Sequence, residues 1–186
     1  MSGPFTDMAA EPIANPRGPF VFVTVGTDHH PFDRVVEWSD RLASRGIDVV
    51  VQYGTSCRPV VATGRDYLPI DELESLMRGA AVVVTHGGPA TIMQVRDLGT
   101  MPIVVARDPA RNEHVDGHQM RFAARLHSIG SVVAVQDFET LEGAIDRALA
   151  ESSTLQADAQ SGRTDAVVAT IGDLIDTLVE TRRGRQ

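Results

Sequence analysis

The hydrophobic and polar positions of the chain alternate in the manner of an α/β protein. Continuous apolar runs, several of them rich in Val and Ile, predict strands at 20–25, 48–52, 59–62, 81–85, 103–106 and 131–135. Such runs are typical of a parallel sheet that is covered on both faces. Amphipathic helical patterns follow at 31–45, 71–79, 89–98, 116–128, 139–152 and 164–182. The alternation predicts an α/β fold with a single Rossmann-like domain and a doubly wound, mostly parallel sheet.

Turn-forming residues predict three segments. Residues 1–18 contain several prolines and are expected to form a flexible leader, followed by the domain itself over 19–163. The serine-, glutamine- and glycine-containing stretch 152–163 is the predicted linker at its end. Residues 164–186 form the third segment, a C-terminal helix with an apolar face and a basic tail.

Composition excludes several classes of function. A chain of 186 residues makes one domain, and its net charge of −8 argues against a nucleic-acid partner because no basic stripe is present. Cys57 is the single cysteine, so no internal disulfide can form and a cytoplasmic location is expected. No apolar run reaches the roughly 18–20 residues of a membrane span. We therefore expect any recruitment to a membrane to occur through a partner.

Residues 84–122 carry the clearest candidate chemistry. A buried strand leads into Gly87-Gly88, and Pro89 suits the first position of the following helix because it has no N–H to leave unpaired. The free N–H groups and positive dipole end of such a helix favour a diphosphate. The polar loop after the next strand emerges at the same carboxyl edge of the sheet. This stretch is therefore predicted to hold both ends of a nucleotide-sugar.

These residues carry a resemblance to a known family. The turn His86-Gly87-Gly88, the spacing Gly99-x-x-Pro102 and the pair His118-Gln119 resemble the C-terminal, donor-binding domain of glycosyltransferase family 28. The segments 21–36 and 113–126 are most similar to its small stand-alone subunits. Those are the PssE- and EpsE-type exopolysaccharide subunits and the catalytic subunit of the dolichol-linked UDP-GlcNAc transferase. The resemblance spans about 20–149 and implies the C-terminal half of a GT-B enzyme.

The resemblance also implies roles for individual residues. It places the donor phosphates beside Gly26, Thr27, Gly87, Gly88 and Thr91, the ribose at Gln94, and the sugar at Glu113, His114, His118 and Gln119. The family usually has a glutamate where this chain has Gln94, so charge-assisted bonds to the ribose are lost. No catalytic residue is identified, and His86 and His29 are the candidates. Neither a metal nor another cofactor is expected, although Glu113, His114, Asp116 and His118 have ligand chemistry.

The resemblance predicts the donor-binding subunit of a split, inverting glycosyltransferase. It would present a UDP-sugar to a lipid-linked acceptor held by a membrane-associated partner subunit, in polysaccharide or glycoconjugate synthesis. The base that accepts the acceptor proton is expected on that partner. One alternative is a non-catalytic, nucleotide-binding regulatory module. Another is a dinucleotide-dependent enzyme, but Gly26-Thr27-Asp28 departs from the G-x-G-x-x-G pattern.

Overall fold

The computed structural model describes residue 13 and residues 15–150. The predicted leader (except residues 13 and 15–18), the predicted linker at 152–163 and the predicted helix at 164–182 lie outside the described residues. Over residues 15–150, six parallel strands form one sheet in the order β3-β2-β1-β4-β5-β6. The strands are β1 Val21–Thr24, β2 Val49–Gln52, β3 Thr63–Arg65, β4 Val82–His86, β5 Ile103–Val105 and β6 Val133–Val135.

Within the described part of the chain, five helices connect and cover the strands. They are α1 Asp33–Ser44, α2 Ile70–Gly79, α3 Pro89–Asp97, α4 His118–Ser128 and α5 Phe138–Ala150, with a 3-10 turn at Pro109–Arg111. The predicted fold class is confirmed, with the sheet parallel throughout. Among the residues described, no helix has the length and apolar character needed to cross a bilayer.

Alternate residues of the central strands pack on opposite faces of the sheet. On one face, Val21 and Val23 of β1 join the cluster formed with α1 and α5. On the other face, Phe22 packs against Leu76 of α2. A third cluster links α3 and α4 to Val104 of β5. Burial on both faces explains why these strands read as unbroken apolar runs.

The predicted strand at 59–62 is wrong, and an aspartate explains the difference. Asp40 on α1 accepts hydrogen bonds from the backbone N–H groups of Val60, Val61 and Ala62, at 2.8, 2.9 and 2.9 Å. Those groups are therefore occupied by a carboxylate and cannot form a sheet ladder. Val60 is 89% exposed, and the strand forms only at Thr63–Arg65.

The sheet topology creates a crevice between β1 and β4. These neighbours pair in parallel, with Thr24 opposite Thr85, and the strand order runs outward from them in both directions. The connections from β1 and β4 therefore leave toward opposite sides of the sheet. In open α/β sheets, ligands bind outside the carboxyl ends of the strands at such a point.

Candidate functional site at the carboxyl edge of the sheet

Two glycine-containing loops face each other across this crevice, with the His86 ring between them. Gly26 follows β1 and has φ +76°, whereas Gly88 follows β4 in an extended conformation. A Cβ added to either glycine would overlap the His86 imidazole, far inside van der Waals contact. The ring thus occupies the space that side chains at positions 26 and 88 would need.

His86 is held in its neutral form. Burial lowers the pKa of His86, and the positive charge of Arg107 adds to this effect, so that the value falls to about 4. A neutral imidazole offers one N–H donor and one acceptor nitrogen. Nδ1 of His86 is buried, and no group in the described part of the chain forms a hydrogen bond with it. The ring therefore retains hydrogen-bonding capacity at the floor of the crevice.

Helix α3 begins directly after this histidine. Gly88 is its N-cap residue, Pro89 occupies the first turn, and no side chain caps the end. Within the helix, the N–H of Ile92 is the first to bond backward, to the carbonyl of Gly88 at 3.1 Å. The preceding amide groups of Ala90 and Thr91 are left for another acceptor. Together with the helix dipole, they form a site suited to an anion.

A buried arginine joins the loops around the crevice. The Arg107 side chain lies at the end of β5, fully buried, and donates hydrogen bonds to the carbonyls of Val25, His30 and Glu113 at 2.9, 2.6 and 3.0 Å. Its guanidinium carbon lies 4.7 Å from the centre of the Phe32 ring. Arg107 thereby fixes the loop after β1 to the loop after β5. Sequence reasoning missed this residue, although a charged residue directly after a buried strand was a visible signal.

Glu113 belongs to the same network. Its carboxylate pairs with the Arg34 Nε at 2.6 Å and accepts the backbone N–H of Asp108 at 2.8 Å. Both side chains of the pair are largely buried. The carboxylate that was predicted to contact the sugar is therefore engaged within the protein, where it organises the loop after β5.

The start of α4 lies against the glycine turn. A Cβ on Gly87 would be 2.8 Å from the Cβ of Gln119, so the missing side chain permits this approach. The Gln119 Oε1 accepts a long hydrogen bond, 3.4 Å, from the Arg107 N–H. His118 precedes it at the helix start, with its side chain 47% exposed. The structure thus brings Gln119 close to the predicted diphosphate turn.

The other predicted residues occupy the margins of the crevice. Thr27 is exposed in the loop after β1, and Thr91 is half-buried in the first turn of α3. Gln94 lies one turn further along α3 and donates to the Glu74 Oε1 of α2 at 3.4 Å. His29 is largely exposed beside Asp28, while His114 reaches the same aspartate from the loop after β5.

Asp28 links these two loops. Burial alone would raise the pKa of Asp28, but the hydrogen bonds from His30 and the charge of Arg107 outweigh it and lower the pKa to about 2. The His30 Nδ1 lies 2.7 Å from the Asp28 Oδ1, and the His114 Nε2 lies 3.8 Å from the Oδ2. A permanently ionised carboxylate is thus surrounded by imidazoles at the rim of the crevice.

Solved structures with the same fold are glycosyltransferases. The chain resembles CalG4, the calicheamicin glycosyltransferase, with a TM-score of 0.61 and 16% identity over 92% of this chain and 43% of that one. VinC, solved in complex with DTDP, gives a TM-score of 0.54 and 20% identity over 87% of this chain and 42% of that one. MurG of Acinetobacter baumannii gives a TM-score of 0.51 and 21% identity over 86% of this chain and 51% of that one. The chain thus spans about half the length of these proteins or less.

No curated protein matches the chain in sequence. The model of one sequence family does match, over residues 20–170, which is most of the chain. That family is described as the glycosyltransferase family 28 C-terminal domain. Since the match includes both glycine-containing loops, α3 and the start of α4, the chain belongs to this family.

Proposed function

We propose that this domain binds the UDP-sugar donor of a GT-B glycosyltransferase. One observation carries the proposal: the Gly26 loop and the Gly87-Gly88 turn face each other where the strand order diverges, beside the uncapped start of α3. The diphosphate would lie in this crevice and accept hydrogen bonds from the amides of Ala90 and Thr91. Membership of the family supports the same assignment.

The transfer step requires that the protein stabilise the leaving diphosphate. Negative charge grows on the phosphate oxygens as the bond to the anomeric carbon breaks, and preorganised N–H groups stabilise it without reorganisation. The N–H groups and the dipole of helix α3 would supply this stabilisation, so that the step would not need a metal ion. His86, neutral and beneath both loops, would donate one further hydrogen bond and is assigned no proton transfer. The reaction would invert the configuration at the anomeric carbon.

The sugar and the ribose would bind at opposite ends of the crevice. Gln119, which lies against Gly87, is the proposed contact for the sugar hydroxyls, with His118 at its edge. Gln94 is the proposed ribose contact on the α2 side. Because Glu74 already bonds to Gln94, a carboxylate stands beside the position where the family usually has its glutamate. Thr27 and Thr91 would line the phosphate path.

The acceptor and the catalytic base are assigned to another polypeptide. The chain spans about half or less of the solved glycosyltransferases that it resembles, and binding sites for small molecules lie preferentially between domains. The resemblance of segments 21–36 and 113–126 to the PssE- and EpsE-type subunits supports an extension of the proposal to a split enzyme. A membrane-associated partner at the cytoplasmic face would hold the lipid-linked acceptor and the base. The predicted apolar helix at 164–182 is the proposed docking element.

A regulatory role is the second candidate, favoured by Gln94 in place of the family's glutamate. A module of this kind would bind UDP without taking part in transfer. Mixing the purified chain with membranes that contain its partner and supplying a UDP-sugar distinguishes the two. Sugar transfer that depends on this chain supports the enzyme subunit, whereas tight UDP binding with no contribution to transfer selects the regulatory module.

Donor binding is tested directly by calorimetry on the purified chain. We expect UDP and UDP-sugars to bind more tightly than ADP and ADP-sugars. Gln119→Ala should weaken the UDP-sugar by about 1 kcal/mol, the contribution of one hydrogen bond, and leave UDP unchanged. Gln136→Ala, an exposed glutamine after β6, is the matched control. Equal losses of affinity for UDP and the UDP-sugar would show that Gln119 does not contact the sugar. Equal affinity for the uridine and adenosine compounds would overturn the donor assignment.

A further inference from the structure

Four of the six histidines of the chain converge on one surface with two aspartates. His29, His30 and Asp28 come from the loop after β1, whereas His114 and His118 come from the region between β5 and α4. A continuous series of short distances connects them. It runs from His30 to Asp28 at 2.7 Å, from Asp28 to His114 at 3.8 Å, and through Asp116 to His118.

We infer that Asp28, His29, His30 and His114 form a site for a divalent transition-metal ion of the zinc type. Donor atoms of Asp28, His29 and His30 all lie within 4.8 Å of one another. His114 approaches the same carboxylate from the opposite loop. Three imidazoles and one carboxylate are a donor set that suits Zn²⁺ and disfavours Mg²⁺ or Ca²⁺, which prefer oxygen ligands.

The distances fit a tetrahedral site after small movements. With bonds of about 2.0–2.1 Å, neighbouring donor atoms of a tetrahedral zinc site are about 3.3 Å apart. The Asp28 carboxylate lies 3.9 Å from the His29 Nδ1 and 3.8 Å from the His114 Nε2. The His30 ring is 4.0 Å from the His29 ring and 6.0 Å from the His114 ring, between centroids. His29 is exposed and has room to turn inward.

The surroundings prepare the carboxylate and one imidazole. Arg107 fixes the His30 carbonyl, and the His30 Nδ1 lies 2.7 Å from the Asp28 Oδ1, so that these two donor atoms already face each other. An ion that binds there would displace the proton between them. The second carboxylate oxygen of Asp28, Oδ2, lies 3.8 Å from the His114 Nε2 and places the same carboxylate beside the fourth ligand. The positive charge of Arg107 acts on Asp28 and lowers the affinity of the site for a cation. The bound ion would hold the two loops of the rim together and is separate from the transfer step.

Zinc and cobalt titrations of the purified, chelator-treated full chain test this site. We expect one equivalent of Zn²⁺ to bind, and Co²⁺ to give the visible bands of tetrahedral coordination. His29→Ala and His114→Ala should each weaken Zn²⁺ binding by at least about tenfold. His29→Ala alters an exposed side chain, so its effect cannot come from unfolding. His127→Ala, a histidine near the end of α4, is the matched control and should bind normally.

Three results would overturn the inference. Zn²⁺ binding that is absent or weaker than millimolar excludes a built site. Equal losses in His29→Ala and His127→Ala indicate only scattered surface histidines. If His118→Ala and Asp116→Asn weaken Zn²⁺ binding and His29→Ala does not, the ion binds at the other end of the cluster. UDP titrations with and without chelator run alongside, and their outcome tests the donor site independently of the metal.

Discussion

Replacing Gly88 by alanine tests the contact between the glycine loops and His86. The backbone of Gly88, with φ −76° and ψ 126°, suits alanine without strain. The whole cost therefore comes from the overlap of the new methyl group with the His86 ring. Overpacking of this kind costs about 1–3 kcal/mol. In a His86→Ala background the methyl group has space, so the second substitution should cost close to nothing.

Two other glycines separate this collision from backbone strain. Gly26 has φ +76° and the same overlap with His86, so Gly26→Ala should add about 1–2 kcal/mol of left-handed strain to the collision. Gly46, with φ +87°, has nothing within 4 Å of the added Cβ and should show the strain alone. Removal of the His86 ring should therefore rescue Gly88→Ala fully, Gly26→Ala in part, and Gly46→Ala not at all.

Urea denaturation followed by circular dichroism measures these differences, each double variant being compared with His86→Ala. The graded rescue is specific to a ring that lies between positions 26 and 88. The reasoning would be refuted if Gly88→Ala were as stable as the parent, or if His86→Ala failed to relieve it. Either result would mean that the ring lies elsewhere in solution, and the floor of the proposed donor crevice would have to be redrawn.

Two further predictions concern the charges beneath the loops. Burial and the Arg107 charge hold the pKa of His86 at about 4, against 6.5 in the unfolded chain, so the unfolded state takes up the proton first. Stability should fall by up to about 3 kcal/mol between pH 6.5 and 4, and His86→Ala should flatten this part of the urea-measured profile. Glu113→Gln should cost about 3 kcal/mol because it leaves Arg34 buried without its partner. Adding Arg34→Met should recover most of that loss, and an unchanged midpoint in the single variant would contradict the pairing.

The sequence predicted the elements well because their apolar periods are strong. Five strands and five helices lie within a few residues of their predicted positions. The failure at 59–62 arose from a side chain distant in sequence. Those residues have strand-like composition, but Asp40 of helix α1 accepts hydrogen bonds from the N–H groups of Val60, Val61 and Ala62. A local pattern cannot reveal a competitor for backbone hydrogen bonds that tertiary packing delivers.

Part of the candidate site could also be predicted from the sequence. Glycines that follow strands were visible in the sequence, and the rule for open sheets brought Gly26, Gly87 and Gly88 to one edge. The sequence did not reveal that the His86 ring lies between the loops, because this depends on the twist and register of β1 against β4. Nor did it reveal that Glu113, predicted to contact the sugar, pairs with Arg34. The partner that occupies it, Arg34, is 79 positions away, and only the packed loops bring the two together.

The charges of the chain explain why the proposed anion site would depend on backbone groups. A protein with net charge −8 repels a diphosphate at long range, and screening in physiological salt reduces this beyond about 8 Å. Attraction must therefore be local. Arg107 cannot reach a ligand, since three carbonyls hold its guanidinium, and Arg34 is paired with Glu113. The start of α3, whose amides carry about half a positive charge and need no counter-ion, would supply this local attraction. Arg107 fixes the loop after β1 to the loop after β5 beside this helix start.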